Sequence, residues 1–311
     1  MPMIGAYDTS NPSVASQHLD QAAIGGIDVF SLEWTGPNPS DTGYTETEYD
    51  IDNGFLPAWW QKAYVMFYMF YDQAIRMNRK FGITIPEEAY NFNDSRVYNQ
   101  FISDIDHIRE KYFGHLGYFK MDYSPVIFWY LSRITSGPWW VALQTVRDHA
   151  GGNIFFIGDE IFNTKLFRPR RIEKFDAISC YGVGLDPTYY SDGANVRDVA
   201  DIAIPVYEYW QYQASDLGVW FVWPLEAEYD DDHISGRPWN GEFYSFSKSD
   251  FSYFAQRIKN SISSRGNPYV STTSFNEWYE TTSVEACSTP GEPYIYNWGW
   301  DFLNVIKEIF F

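Results

Sequence analysis

The stretch Thr273-Ser-Phe-Asn-Glu-Trp-Tyr-Glu-Thr-Thr-Ser-Val-Glu285 sets two carboxyl groups, Glu277 and Glu280, three residues apart, beside Asn276 and Trp278. If the chain turns after Trp278, both carboxyl groups face one opening. Like charge and poor solvation then keep one protonated while the other stays ionised, giving an acid and a base. Cleaving a glycosidic bond calls for such a pair, flanking the scissile oxygen. The plainer alternative is an i, i+3 pair on an exposed helix end.

Other acids recur where short apolar runs end. Eight runs read as strands, and six of them end on or near an acid: Asp8, Glu33, Glu87 with Glu88, Asp159 with Glu160, Glu226, and Glu277. Aromatics fall at the same ends, at Tyr7, Trp34, Trp129, Tyr130, Tyr181, Trp223 and Trp278. A sugar ring has apolar C–H faces that stack on Trp and Tyr, and hydroxyls that donate to carboxylates. The set therefore leans toward a carbohydrate site, against the alternative of ordinary acidic loops on an acidic protein.

The whole chain is consistent with that leaning. It has 311 residues, a net charge of −19, and aromatic residues at a fifth of all positions. Such acidity argues against nucleic acid, whose phosphates need clustered Lys and Arg. A hydrophobic content of 45% argues for a packed globule rather than disorder. No apolar run approaches the ~20 residues needed to span a bilayer. The first residues lack a basic stretch followed by an apolar one, which reads as cytoplasmic, or as secreted if a leader was removed. Cys180 and Cys287 are the two cysteines, too few for a disulfide scaffold or a cysteine-rich zinc site; whether they pair stays open. No His-Glu-x-x-His, Gly-x-Ser-x-Gly or phosphate loop appears, so neither a metal nor a cofactor is expected. The oligomeric state is open.

The elements that must position these residues alternate. Strands are expected over 3–7, 27–33, 81–85, 125–130, 154–157, 177–181, 219–223 and 269–275. Helices are expected over 12–24, 56–80, 95–113, 138–149, 197–214, 248–263 and 300–310, with Gly114, Gly151 and Gly266 as left-handed stops. The connection over 162–174 is basic and only weakly helical. Eight strand–helix alternations in this length predict one α/β domain over 1–311, a single (β/α)8 TIM barrel with long βα loops above its C-terminal mouth. A doubly wound sheet would usually carry a glycine-rich loop after an early strand, and Ile4-Gly-Ala-Tyr-Asp is not one.

Ser274-Phe-Asn-Glu-Trp-Tyr-Glu followed by Val284-Glu resembles the terminal motif of glycoside hydrolase family 99 and the broader family 71/99-like group. Ile4-Gly-Ala-Tyr-Asp-Thr-Ser-Asn-Pro, Gly26-Ile-Asp-Val-Phe-Ser-Leu-Glu-Trp34, Lys111-Tyr-Phe-Gly-His-Leu-Gly-Tyr-Phe-Lys and Ser124-Pro-Val-Ile-Phe-Trp-Tyr are similar to further family landmarks, in family order. The resemblance implies a (β/α)8 barrel that cleaves α-mannoside-type glycans, often internally, with retention of configuration and without a cofactor. It implies an oligosaccharide or polysaccharide substrate. Glu277 would deprotonate the substrate's own 2-hydroxyl, which displaces the leaving group through a 1,2-anhydro sugar, and Glu280 would protonate the departing oxygen. Glu88 or Glu87 would hold the reactive sugar, Tyr181 would stand near the cleavage point, and Trp34 would form a stacking wall. Tyr7, Asn276, Trp278 and Glu226 complete the candidate substrate contacts. Relatives usually read Glu-Trp-His-Glu-Gly-Thr, whereas this chain has Tyr279 and Thr281, and their Pro-Gly is here Pro224-Leu225. A carbohydrate-binding barrel without catalysis, and an inverting glycosidase using another rim carboxylate, are the alternatives.

Overall fold

A computed structural model describes residues 8, 11–34, 36, 57–86, 90–162, 167–181, 196–229, 244–245, 247–265, 269–275, 283–286 and 299–311. These fall into two compact units, one holding the described residues of 7–19 and 28–157, the other those of 20–27 and 158–311. The expected strand over 3–7, and with it Tyr7, lies outside the described residues, as do Glu87, Glu88, Asn276, Glu277, Trp278, Glu280, Gly266 and Cys287.

In the first unit, β1 (Val29–Glu33), β2 (Lys80–Pro86) and β4 (Ser124–Tyr130) run parallel. Their registers run from Val29↔Lys80 to Glu33↔Thr84 and from Ile83↔Ile127 to Pro86↔Tyr130. Helices α1 (Pro12–Ile24, which passes into the second unit at Asp20), α2 (Pro57–Arg76), α3 (Ser95–Lys111) and α4 (Trp139–His149) occupy nearly the expected spans. α3 buries Val97, Phe101, Ile105 and Ile108, a spacing that lines one helical face. It starts where Asp94 Oδ1 accepts the Arg96 N–H at 2.8 Å. Trp129 of β4 is fully buried, its ring 5.0 Å from Phe101 of α3 and 5.9 Å from Trp139 of α4. Each such aromatic pair adds about 0.5–1.5 kcal/mol beyond the area it buries.

A two-residue strand, β3 (Lys120–Met121), folds back antiparallel on β4 through Asp122 (φ 47°) and Tyr123 (φ 65°). Two positive φ values suit a tight hairpin, yet neither residue is the glycine that would announce one. Gly151 has the left-handed stop expected of it (φ 65°), but Gly114 is not among the positive-φ glycines. α3 ends instead at Tyr112 in the right-handed region, where the Tyr112 N–H still donates to the Ile108 carbonyl.

In the second unit, β5 (Phe155–Asp159, which begins in the first) reaches its carboxyl end at Asp159, and all five of its residues are buried. β6 (Ala177–Ser179) runs parallel to β7 (Trp220–Phe221), and β8 (Trp223–Glu226) runs parallel to β11 (Val270–Thr273). The strand expected over 219–223 therefore continues to Glu226. It changes partner midway: the Val222 N–H donates to the Ile178 carbonyl, and the next N–H, of Trp223, to the Tyr269 carbonyl. Pro224 stands opposite Ser271. Successive N–H groups in a strand alternate sides, so with the Trp223 N–H on Tyr269 the Pro224 nitrogen faces away from β11 and no bond of that ladder is lost. A short antiparallel ribbon, β9 (Glu228–Tyr229) with β10 (Tyr244–Ser245), follows β8. The weak connection over 162–174 yields a single helical turn, α5 (Pro169–Ile172). Helices α6 (Val196–Asp216), α7 (Lys248–Arg265) and α8 (Asp301–Phe310) complete the unit, α7 packing on both of the others. No described helix is long and apolar enough to cross a membrane.

Candidate active site

Parallel strands point their carboxyl ends one way, and in the second unit those ends form a connected rim. The Glu160 N–H donates to the Ser179 carbonyl (2.9 Å), joining the ends of β5 and β6. Ser179 is fully buried, and its hydroxyl lies 3.0 Å from both the Val222 carbonyl and the Ser271 hydroxyl. That ties β6 to the neighbouring strands on its far side. Glu226 stands opposite Thr273 in the β8–β11 register, so a carboxyl group flanks the point where β11 passes into the 276–280 segment.

The acids at these ends are not solvated loop residues. Asp159 is fully buried, and Glu226 is 1% exposed. Burying a carboxylate is costly unless hydrogen bonds or opposite charge compensate. Asp159 Oδ1 accepts the Tyr181 backbone N–H at 2.8 Å. Glu160 accepts from Arg171 Nε at 2.7 Å, an ion pair with side-chain exposures of 9% and 13%. Asp8 and Glu33 are by contrast exposed.

The segment carrying Glu277 and Glu280 is anchored on both sides. Before it, Ser274 and Phe275 offer their carbonyls; after it, the Val284 N–H donates to Ser274 (3.0 Å) and the Glu285 N–H to Phe275 (2.8 Å). The Ser283 hydroxyl donates a further bond to the Phe275 carbonyl (2.8 Å) and accepts from the Glu285 N–H (3.2 Å). Ser283 and Glu285 are fully buried. This closed base leaves seven residues, 276–282, to span from Phe275 back to Ser283.

Of the sequence candidates, the structure brings Tyr181 and Glu226 to this rim, with Tyr181 half-buried at the end of β6. The Cys180 thiol beside it donates to the Tyr181 carbonyl at 3.2 Å. Trp34 departs from expectation. It is 3% exposed, and its ring lies 6.2 Å from that of His107 on α3, so it packs α3 rather than offering an open stacking wall. Trp129 and Trp223 are likewise core rings, both fully buried. On α4, Trp139 is buried while its neighbour Trp140 is 47% exposed. Arg171 and Ser283 are not among the sequence candidates, and Glu285 enters there only as the end of the motif. The signal for Arg171 was a basic run beside an acidic strand end; for Ser283, a small hydroxyl preceding a Val-Glu that follows the motif.

Elsewhere, α2 and the end of α3 share a tyrosine cluster. The Tyr68 and Tyr112 hydroxyls hydrogen-bond each other, and the Tyr71 hydroxyl bonds His115 Nε2. Burial, reinforced by the nearby Asp72 charge and Tyr68, pushes Tyr71 up to about 12. Burial first, and then the Tyr68 hydroxyl, raises Tyr112 well above the usual phenol range, and burial alone does the same to Tyr118.

Parallel strands alternating with helices, with buried acids gathered at carboxyl ends, define an α/β barrel-type protein. Solved structures agree: the GH99 endo-alpha-mannosidase from Bacteroides thetaiotaomicron superposes with a TM-score of 0.68 at 19% identity, covering 99% of this chain and 81% of that one. The likeness gives the fold, a (β/α)8 barrel. Residues 1–296 match the model of glycosyl hydrolase family 99, and the chain belongs to that family. Among curated proteins it is similar to the glycoprotein endo-alpha-1,2-mannosidase of Rattus norvegicus, 24% identical over 297 residues, covering 91% of this chain and 56% of that protein. The Xenopus laevis protein of the same name is 25% identical over 298 residues, covering 92% and 58%. The chain thus spans little more than half the length of these relatives.

Proposed function

We propose that this chain hydrolyses α-mannosidic linkages within glycans, with retention of configuration, using Glu277 as base and Glu280 as acid. The observation that carries the reading is the family match over residues 1–296, which contains both glutamates. The names of the relatives in rat and Xenopus laevis support an internal α-1,2 linkage as the substrate bond. The match also crosses both compact units unbroken, which supports one catalytic domain over 1–311.

In this reading Glu277 takes the proton of the substrate's 2-hydroxyl, and that oxygen attacks C1 as the C1–O bond to the leaving group breaks. Glu280 gives its proton to the departing oxygen. Water then opens the 1,2-anhydro ring at C1, losing a proton to Glu280 while O2 regains one from Glu277. Two inversions at C1 give net retention. The anchored base formed by Ser274, Phe275, Ser283 and Glu285 supports the reading, because acid–base catalysis needs its groups held in position. Tyr181 and Glu226 are assigned to the sugar beside the cleavage point. Glu88 or Glu87, Tyr7, Asn276 and Trp278 are proposed as further contacts.

The test is hydrolysis of a panel of α-mannosides that includes α-1,2-linked oligosaccharides. Glu277→Gln and Glu280→Gln should each lose about 10²–10⁴-fold in kcat, the usual worth of one general acid or base. A substrate with an activated leaving group should rescue Glu280→Gln but not Glu277→Gln. A 2-deoxy substrate should be bound and left uncleaved. Unchanged hydrolysis by Glu280→Gln would remove the acid assignment. Binding without hydrolysis across the whole panel would favour a carbohydrate-binding barrel.

A further inference from the structure

We infer that Asp159 is a positioning residue for Tyr181, holding it at the rim through the Tyr181 backbone rather than by touching the sugar itself. The inference rests on the reading above, in which Tyr181 meets the substrate. β6 ends at Ser179, two residues before Tyr181, so the sheet ladder no longer fixes the chain there. The polar groups around that exit are then the available restraints. Asp159, fully buried at the end of the adjacent strand β5, accepts the Tyr181 N–H at 2.8 Å. The Cys180 thiol donates to the Tyr181 carbonyl at 3.2 Å, and thiols are weak donors. The carboxylate bond, from a charged acceptor, is the stronger of the two.

The platform beneath Asp159 is itself fixed. Gly158 packs so closely that a Cβ there would sit 2.8 Å from the Phe175 ring. The next residue, Glu160, donates its N–H to Ser179 and pairs its carboxylate with Arg171. The Asp159 backbone is thus held on both sides, leaving its carboxylate as a rigid arm reaching to the next strand. A phenol swung out by even 1 Å loses its alignment with a reacting sugar, and such shifts cost on the order of 10²-fold.

The experiment is a double-mutant cycle on Asp159 and Tyr181, reading kcat/KM on the best-cleaved α-mannoside of the panel, with thermal unfolding of every variant measured alongside. Asp159→Ala should lower kcat/KM by about 10–100-fold, up to the cost of a 1 Å misplacement. Asp159→Asn, which keeps a carbonyl oxygen for the Tyr181 N–H, should restore most of the loss. In a Tyr181→Ala background, Asp159→Ala should cost less than about threefold more, because the group it positions is gone. A purely structural residue would lower stability and rate equally in both backgrounds. If Tyr181→Ala loses activity while Asp159→Ala does not, or if the two losses simply multiply, the positioning role is refuted and the site reading stands. If Tyr181→Ala keeps full activity, or the wild type cleaves nothing in the panel, the site reading fails and takes the inference with it.

Discussion

Ser283→Ala tests whether the base of the 276–282 segment sets the position of the two glutamates. The substitution deletes one hydroxyl from a fully buried site. Lost with it are the 2.8 Å bond to the Phe275 carbonyl and the 3.2 Å contact from the Glu285 N–H. Neither partner is orphaned, since the Phe275 carbonyl and the Glu285 N–H still bond each other at 2.8 Å. The penalty is therefore that of hydrogen bonds lost without stranding a buried group, about 1–2 kcal/mol in total. For 311 residues at about 2.1 cal/mol/K each, that lowers the unfolding midpoint by roughly 1.5–3 °C. Thermal unfolding gives the first number, and kcat and KM on the cleaved α-mannoside give the second. A base that only holds the fold together predicts the midpoint shift with kcat unchanged. A base that positions Glu277 and Glu280 predicts a fall of about tenfold in kcat at nearly constant KM, with the pH profile keeping its shape. Loss of stability without loss of kcat refutes the positioning argument.

Arg171→Ala leaves the Glu160 carboxylate buried without its partner and should cost about 3–5 kcal/mol in urea unfolding; replacing the pair by Leu and Met should recover most of that, and equal losses would show the ion pair is not the cause. Gly158→Ala drives a methyl group into the Phe175 ring and should destabilise by about 1–3 kcal/mol, whereas a neutral result would show that β5 can shift. At alkaline pH the raised tyrosines work against the fold: unfolded tyrosines release their protons near ~10, while Tyr71 holds its own to about 12. In that window the folded chain binds more protons than the unfolded one, so stability is full below the window and falls as pH rises through it. Tyrosinate absorbance should therefore show a late phase coincident with loss of circular dichroism; all 25 tyrosines ionising together with the fold intact would contradict this.

Local patterning made most of the elements legible. α3 could be read because Val97, Phe101, Ile105 and Ile108 repeat at helical spacing and Asp94 sits at the cap. The features that escaped are those decided by neighbours. Val222 and Trp223 look like consecutive residues of one strand, and only the sheet shows that their N–H groups serve different partners. The Asp122–Tyr123 hairpin carries no glycine, so its two positive φ values left no trace in composition. At the rim, the sequence placed the acids but not their burial. Glu33 and Asp159 look alike as acids at strand ends, yet one is exposed and the other fully enclosed. Trp34 misled because an aromatic at a strand end is equally suited to stacking a sugar or packing a helix. The roles proposed for Glu277 and Glu280 rest on residue type, spacing and family motif, and both residues lie outside the described ones.

The stereochemistry of the first product tests the central claim most directly. Proton NMR during early hydrolysis of an α-1,2-linked mannoside, before mutarotation sets in, should show the α-anomer of the newly formed reducing end, as two inversions at C1 require. First appearance of the β-anomer would mean direct attack by water, and would contradict participation of the 2-hydroxyl with Glu277 as its base.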